Sequence, residues 1–171
     1  MGEVRLELLD QRWVEDVADL VADPQVLRFT RIPEPPPKGF ACSWIESYEA
    51  ARSDGTREGF AALGDDGGFL GLGLAPQIDR AAGEVELGYI VSRAARGRGV
   101  ATAILRLLTE WAFRDLGGQR VFLIIHVEND ASARVAERCG YRREGVMRSL
   151  HLKQDRRVDA ALWSRLPSDP G

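Results

Sequence analysis

The chain is 171 residues long, with 44% hydrophobic and 29% charged side chains, which suits one soluble globular domain with a substantial core. Its formal net charge of −3 argues against a dedicated nucleic-acid binder, and no apolar run approaches membrane-spanning length. Cys42 and Cys139 each fall in an apolar helical pattern, which predicts buried free thiols and a cytoplasmic setting. Two scattered histidines and two scattered cysteines offer no metal-ligand spacing, and the N-terminus has no apolar signal core.

Val4, Leu6 and Leu8 alternate with Arg5 and Glu7, the pattern of a half-buried strand. Asp10 can cap a helix whose apolar face is Val14, Val17, Leu20 and Val21 and which ends before Pro24. The prolines between Pro24 and Lys38 exclude a regular helix and predict an extended loop, by default a linker, able also to shape a substrate entrance. Phe40, Trp44 and Tyr48 recur at helical spacing; this face reads as core, with Trp44 or Tyr48 in a substrate wall as the alternative. That helix should end near Arg52, with Asp54-Gly55 as its turn.

Gly59 to Leu63 and Phe69 to Ala75 flank an Asp/Gly turn and predict a hairpin. Gly71 and Gly73 either weaken its second strand or let another backbone come close. After a loop from Gln77 to Gly83, Glu84 to Val91 reads as a strand with Val85, Leu87, Tyr89 and Val91 on one face and Glu86, Gly88 and Ile90 on the other. A long apolar stripe from Val100 to Leu116 predicts a helix closed by Gly117-Gly118, and Val121 to Val127 suits a strand buried on both faces. Asn129 can cap a further helix that Gly140 closes. Tyr141–Leu150 and Arg157–Leu166 read as a last strand pair, and residues 167–171 as a frayed tail.

The segment Arg96-Gly97-Arg98-Gly99-Val100-Ala101-Thr102 joins a strand to a helix. Helix-start N–H groups lack partners inside the helix and favour negative charge, while the glycines remove the Cβ atoms that would hold a phosphate away. With Arg96 and Arg98 alongside, the segment reads as a cradle for phosphate or pyrophosphate rather than a plain turn. The dinucleotide fingerprint fails at Thr102, where it needs a third glycine, and the P-loop's Gly-Lys-Ser/Thr ending is absent.

Arg96-x-x-Gly99-x-Ala101 resembles the Q/R-x-x-G-x-G/A motif of the GNAT superfamily of acyl-CoA N-acyltransferases. Glu86-Leu87-Gly88-Tyr89, Asn129-x-x-Ser132, Cys139-Gly140-Tyr141 and Glu144-Gly145 resemble the branch that contains the ribosomal-protein N-terminal acetyltransferases. Arg93 and Ala95 stand where that branch often has proline and an aromatic residue. The resemblance implies an α/β fold over residues 1–171: a mixed, mostly antiparallel sheet, splayed between its fourth and fifth strands and flanked by helices. It implies acetyl-CoA as co-substrate and no metal. The backbone at Ile90 and Val91 should then bind the pantetheine arm, with Asn129 nearby. The backbone of Gly97, Arg98, Gly99, Val100, Ala101 and Thr102 should bind the pyrophosphate, with Arg96 bracing the loop or meeting phosphate.

The implied activity is N-acetylation of a primary amine, either a protein N-terminus or a small molecule; a noncatalytic acyl-CoA-binding module is the alternative. Nucleic acid and membrane are not expected partners, and exposed strand edges make a homodimer conceivable. Glu86 is expected to take the amine proton or to order the strand. Ser132 is expected to protonate or position the cofactor sulfur, with Tyr141 in reserve as donor.

Overall fold

The computed structural model describes residues 2–170. The alternating start forms β1 (Arg5–Leu8), and the apolar stripe after Asp10 forms α1 (Val14–Val21). Against expectation, Pro24 opens a helix, α2 (Pro24–Phe29). Proline at the first helical position loses an N–H that has no partner anyway, and the Asp23 carboxylate caps the turn by accepting from the Gln25 amide at 2.8 Å. Beyond Phe29 the proline-rich segment is non-helical as far as Gly39.

The aromatic face forms α3 (Phe40–Asp54), which stops at Gly55 in the left-handed conformation. Tyr48 and Ile45 are buried, whereas Cys42 is only half-buried; of the two thiols, Cys139 alone is buried as expected. The hairpin follows as β2 (Glu58–Leu63) and β3 (Phe69–Asp79). β3 runs past the expected end, because a bulge at 74–77 absorbs Pro76 and pairing resumes with Gln77 opposite Glu86 in β4 (Glu84–Val91). Of the two readings of Gly71, close approach holds. A Cβ there would lie 2.2 Å from the Ile90 carbonyl oxygen.

Next come α4 (Val100–Arg114), β5 (Arg120–His126), α5 (Asp130–Arg138), β6 (Arg142–Lys153) and β7 (Arg156–Arg165). β5 is not buried on both faces. Val121, Leu123 and Ile125 are buried, while Phe122, Ile124 and His126 are half-buried. In the tail, Arg142 pairs with Asp169 at 3.2 Å, and Asp169 accepts from the Leu166 amide at 2.9 Å. Gly171 lies outside the described residues.

The seven strands form one sheet in the order β1-β2-β3-β4-β5-β7-β6. Every neighbouring pair is antiparallel except β4 and β5. That parallel ladder holds only at Glu84–Arg120, Val85–Val121 and Glu86–Phe122, so the two strands part beyond Glu86. One core packs α4 on the sheet through Ile104, Leu105 and Leu108; the other packs α1, α2 and α3 on it through Val17, Leu27 and Ile45. No helix among the described residues is long and apolar enough to cross a membrane.

Candidate active site

Where β4 leaves β5, the chain turns through a short 3-10 segment (Arg93–Ala95) into the glycine loop. Gly97 and Gly99 have φ of 72° and 79°, a left-handed conformation that costs a residue with a Cβ about 1–2 kcal/mol. Gly99 supplies no side-chain cap to α4, and among the described residues the N–H groups from Gly97 to Thr102 find no acceptor in the chain. A Cβ built at Gly97 would meet nothing within 4 Å, so the loop faces open space. A row of unpartnered donors at the start of a long helix fits a pyrophosphate.

Arg96 braces this loop. It donates to the Val91 carbonyl at 3.2 Å, to Gln25 Oε1 at 2.8 Å and to Asp23 Oδ2 at 2.8 Å, which ties β4 to α2. Burial works to raise the Asp23 pKa, but the Gln25 amide and the Arg96 guanidinium outweigh it and hold the carboxyl below its usual value. Arg98 is exposed and lines a separate cavity with Glu3, Asp65 and Asp66. Hydrogen bonds to charged groups contribute about 1.5–3 kcal/mol, so Arg96→Ala should destabilise the fold by about that amount. Asp23 is a carboxylate with a depressed folded pKa, so its share of the bracing is present above its ordinary pKa of 3.8 and is lost as pH falls through the lower folded value. Denaturant titrations at neutral pH and at about pH 3 check both statements. Arg98→Ala should stay within about 0.5 kcal/mol of wild type.

The loop forms one end of a cleft of about 500 Å³. Ile90, Val91, Arg96, Gly97, Gly99, Val100, Ala101, Thr102, Asn129 and Ser132 all line it, with Gln25, Phe29, Tyr89, Arg134 and Arg138 among the others. Asn129 also caps α5, accepting from the Ser132 amide at 3.1 Å. The Ser132 hydroxyl lies 2.7 Å from the Tyr89 hydroxyl. Burial pushes the Tyr89 phenol up to about 12, against the opposing pull of the Ser132 hydrogen bond, so Tyr89 keeps its proton throughout the neutral range. Tyr141 is not the reserve donor. Its hydroxyl bonds to Thr109 Oγ1 at 2.7 Å inside the core, away from the cleft.

Glu86 lies on the other side. It is buried, pairs with Arg31 at 2.5 Å, and lines a second cavity of about 130 Å³. Phe29, Tyr89 and Ile90 line both cavities, which therefore lie side by side where β4 and β5 have parted. His126, His151 and Lys153 also line the second cavity. Burial, then neighbouring Arg31, lowers the His151 pKa; burial also lowers that of His126, against the pull of Glu128. Both imidazoles are therefore neutral at pH 7. His126 Nδ1 accepts from the Glu128 amide at 3.1 Å, which leaves the proton of the neutral ring on Nε2.

Sequence reading missed Tyr89, Arg31, His151 and Lys153 at this junction, and Arg134 and Arg138 in the larger cleft. The one available signal was Tyr89, which stood in the quoted strand motif but on what reads as a core face. Arg134 and Arg138 are one helical turn apart, a spacing that puts both on one side of α5.

Comparison with known proteins matches residues 4–142 to the acetyltransferase (GNAT) domain. YdaF of Bacillus subtilis (strain 168), which carries the name of a ribosomal N-acetyltransferase, is 34% identical over 88 residues, 52% of this chain and 48% of that protein. The chain thus spans about half the length of this curated relative. The L-amino acid N-acetyltransferase AaaT of Escherichia coli (strain K12) is 26% identical over 168 residues, covering 97% of this chain and 99% of that one. Among solved structures, spermidine N-acetyltransferase from Vibrio cholerae, in complex with CoA and spermine, superposes with a TM-score of 0.87 at 19% identity, over 98% of this chain and 97% of that one. The domain match covers most of the sequence, and the splayed sheet and glycine loop agree with it: the chain belongs to the GNAT acetyltransferase family.

Proposed function

We propose that this chain moves the acetyl group of acetyl-CoA to a primary amine by direct attack, both substrates being bound at once. The observation that carries the reading is the shared wall of Phe29, Tyr89 and Ile90 between a cavity with an anion cradle and a cavity with a buried carboxylate. Acetyl-CoA supplies a thioester carbonyl; the amine nitrogen forms the new C–N bond, the C–S bond breaks, and the sulfur leaves with its electron pair. The Gly97–Thr102 amides hold the pyrophosphate, with Arg134 and Arg138 in reach of the same cleft, and the Ile90–Val91 backbone aligns the arm that bears the thioester.

An amine attacks only when neutral, so the ammonium must first lose a proton. Glu86 receives it, directly or through water. At the opposite wall Tyr89 donates to the Ser132 oxygen, which leaves the Ser132 O–H free for the departing sulfur. A free thiol has a pKa of about 8.5, so the leaving group needs only modest help. The acceptor is a protein N-terminus or a small-molecule amine; the names of the relatives include both.

The test is thiol release from acetyl-CoA over a panel of primary amines and peptides, with coenzyme A affinity measured by calorimetry. Amine-dependent release is the expected result. Tight coenzyme A binding without release on any amine would turn the reading toward a noncatalytic acyl-CoA-binding module.

A further inference from the structure

The smaller cavity has a charge pattern that the transfer reaction does not explain. It is lined by Arg28, Arg31 and Lys153 but by a single carboxylate, Glu86. Arg28 is neutralised outside the cavity by Glu128, at 3.0 Å. Arg31 gives one guanidinium nitrogen to Glu86, and among the described residues the rest of its fork has no acceptor. Lys153 has no carboxylate within ion-pair distance among the described residues. Its ammonium donates to the carbonyls of Thr30 at 3.0 Å and Ile32 at 3.2 Å, which leaves a third N–H. Those two bonds also fix Lys153 beside Arg31, because Thr30 and Ile32 flank Arg31 in the chain.

Resting on the reading that this cavity takes the amine acceptor, we propose that the acceptor carries a carboxylate near its reacting amine, held by Arg31 and Lys153. An arginine fork matches a carboxylate in shape as well as charge, and a lysine beside it adds a compact second donor. His126 strengthens the fit, since its neutral ring carries its proton on Nε2 and so offers a donor. Glu86, in contact with Arg31, supplies a neighbouring carboxylate suited to an incoming ammonium. The cavity therefore complements a zwitterion such as an amino acid, with the positive end at Glu86 and the negative end at Arg31 and Lys153. A polyamine fits poorly, because it brings only ammonium groups to a cavity whose one uncompensated charge, among the described residues, is the Lys153 ammonium.

The positive field shows in both histidines. After burial, Arg31 and Lys153 each hold down the His151 pKa, and Arg28, Arg156 and Lys153 hold down that of His126.

The experiment compares kcat/KM for three kinds of acceptor on the full chain with acetyl-CoA: free amino acids, the same amino acids as carboxamides, and spermidine. Free acids should exceed their carboxamides by about 10- to 100-fold, the range of a charge-assisted contact. Spermidine should be the poorest. A further arm uses C-terminally amidated dipeptides with and without an acidic side chain; a preference confined to the acidic dipeptides places the carboxylate on a peptide side chain rather than on a free amino acid. Arg31→Gln and Lys153→Met should each lower activity on the acids more than on the carboxamides, so the ratio falls toward one; Arg31→Gln, which also removes the partner of Glu86, lowers both. Coenzyme A affinity and thermal unfolding of both variants identify any loss of fold, and Arg31→Lys should restore part of the ratio. Carboxamides or spermidine equal to or better than the acids, with no preference for the acidic dipeptides, overturn this inference and leave the acetyl-transfer reading intact. No thiol release with any amine overturns both.

Discussion

Glu86→Gln should cut turnover by about 10²- to 10⁴-fold, the range of a positioned general base, while coenzyme A affinity stays within about twofold. Glutamine matches glutamate in size and can still bond to an ammonium, but it cannot take its proton. Glu86 lines the small cavity and not the large one, which is why binding and turnover should separate. The pH dependence of the rate should change in the same variant. Ser132→Ala is the companion at the other wall, where turnover should fall more than affinity because Tyr89 and the cradle remain. If Glu86→Gln keeps both the wild-type rate and the wild-type profile, Glu86 only orders Arg31. The neutral imidazole of His151 is then the remaining proton acceptor on this cavity.

The second large effect belongs to Gly99. Replacing it with valine puts a β-branched residue at φ 79°, where such residues are genuine outliers. The loop must rotate to relieve the strain, and the amides that converge on one anion then diverge. Losing two amide contacts to a charged group costs about 3–6 kcal/mol, or about 10²- to 10⁴-fold in coenzyme A affinity. Calorimetry on the folded variant measures this. Unchanged affinity with an intact near-ultraviolet spectrum would remove the cradle from the binding site. Gly99→Ala should fall between the two, because alanine carries the φ strain without the branched side chain.

The sequence exposed whatever is local. The strand, glycine loop and helix around Arg96 were legible because a turn, a helix start and two glycines fall within a few residues. Strand pairing through the hairpins was legible for the same reason. Pro24 misled because the restriction that bars proline inside a helix suits it to the first position, and only the Asp23 cap reveals which case applies. Tyr141 misled because an aromatic residue after a helix-ending glycine has no visible partner until the fold brings Thr109 to it, 32 residues away.

The acceptor side was the least legible part. Its contacts join Tyr89 to Ser132 across 43 residues, Arg31 to Glu86 across 55, and Lys153 to Ile32 across 121. No period or spacing signals such pairs. Arg31 and Lys153 also lie in segments that read as a linker and a hairpin end, where a charged residue is by default solvated.

Only three residue pairs join β4 to β5, fewer than join any other neighbouring strands, so the ladder is weakest where the sheet divides into two units, β1–β4 and β5–β7, which share the core under α4. In the first unit β2, β3 and β4 are sequence neighbours while β1 pairs with β2 from Arg5–Leu63 to Leu8–Phe60, and the second closes around the β6–β7 hairpin, so the local hairpins can assemble before the parallel seam forms. Amide exchange at the seam should then be governed by separation of the two units rather than by global unfolding. A molecule that bridges the parted edges adds to the seam a strength the short ladder lacks. Its binding energy enters the stability of the whole chain through that one junction.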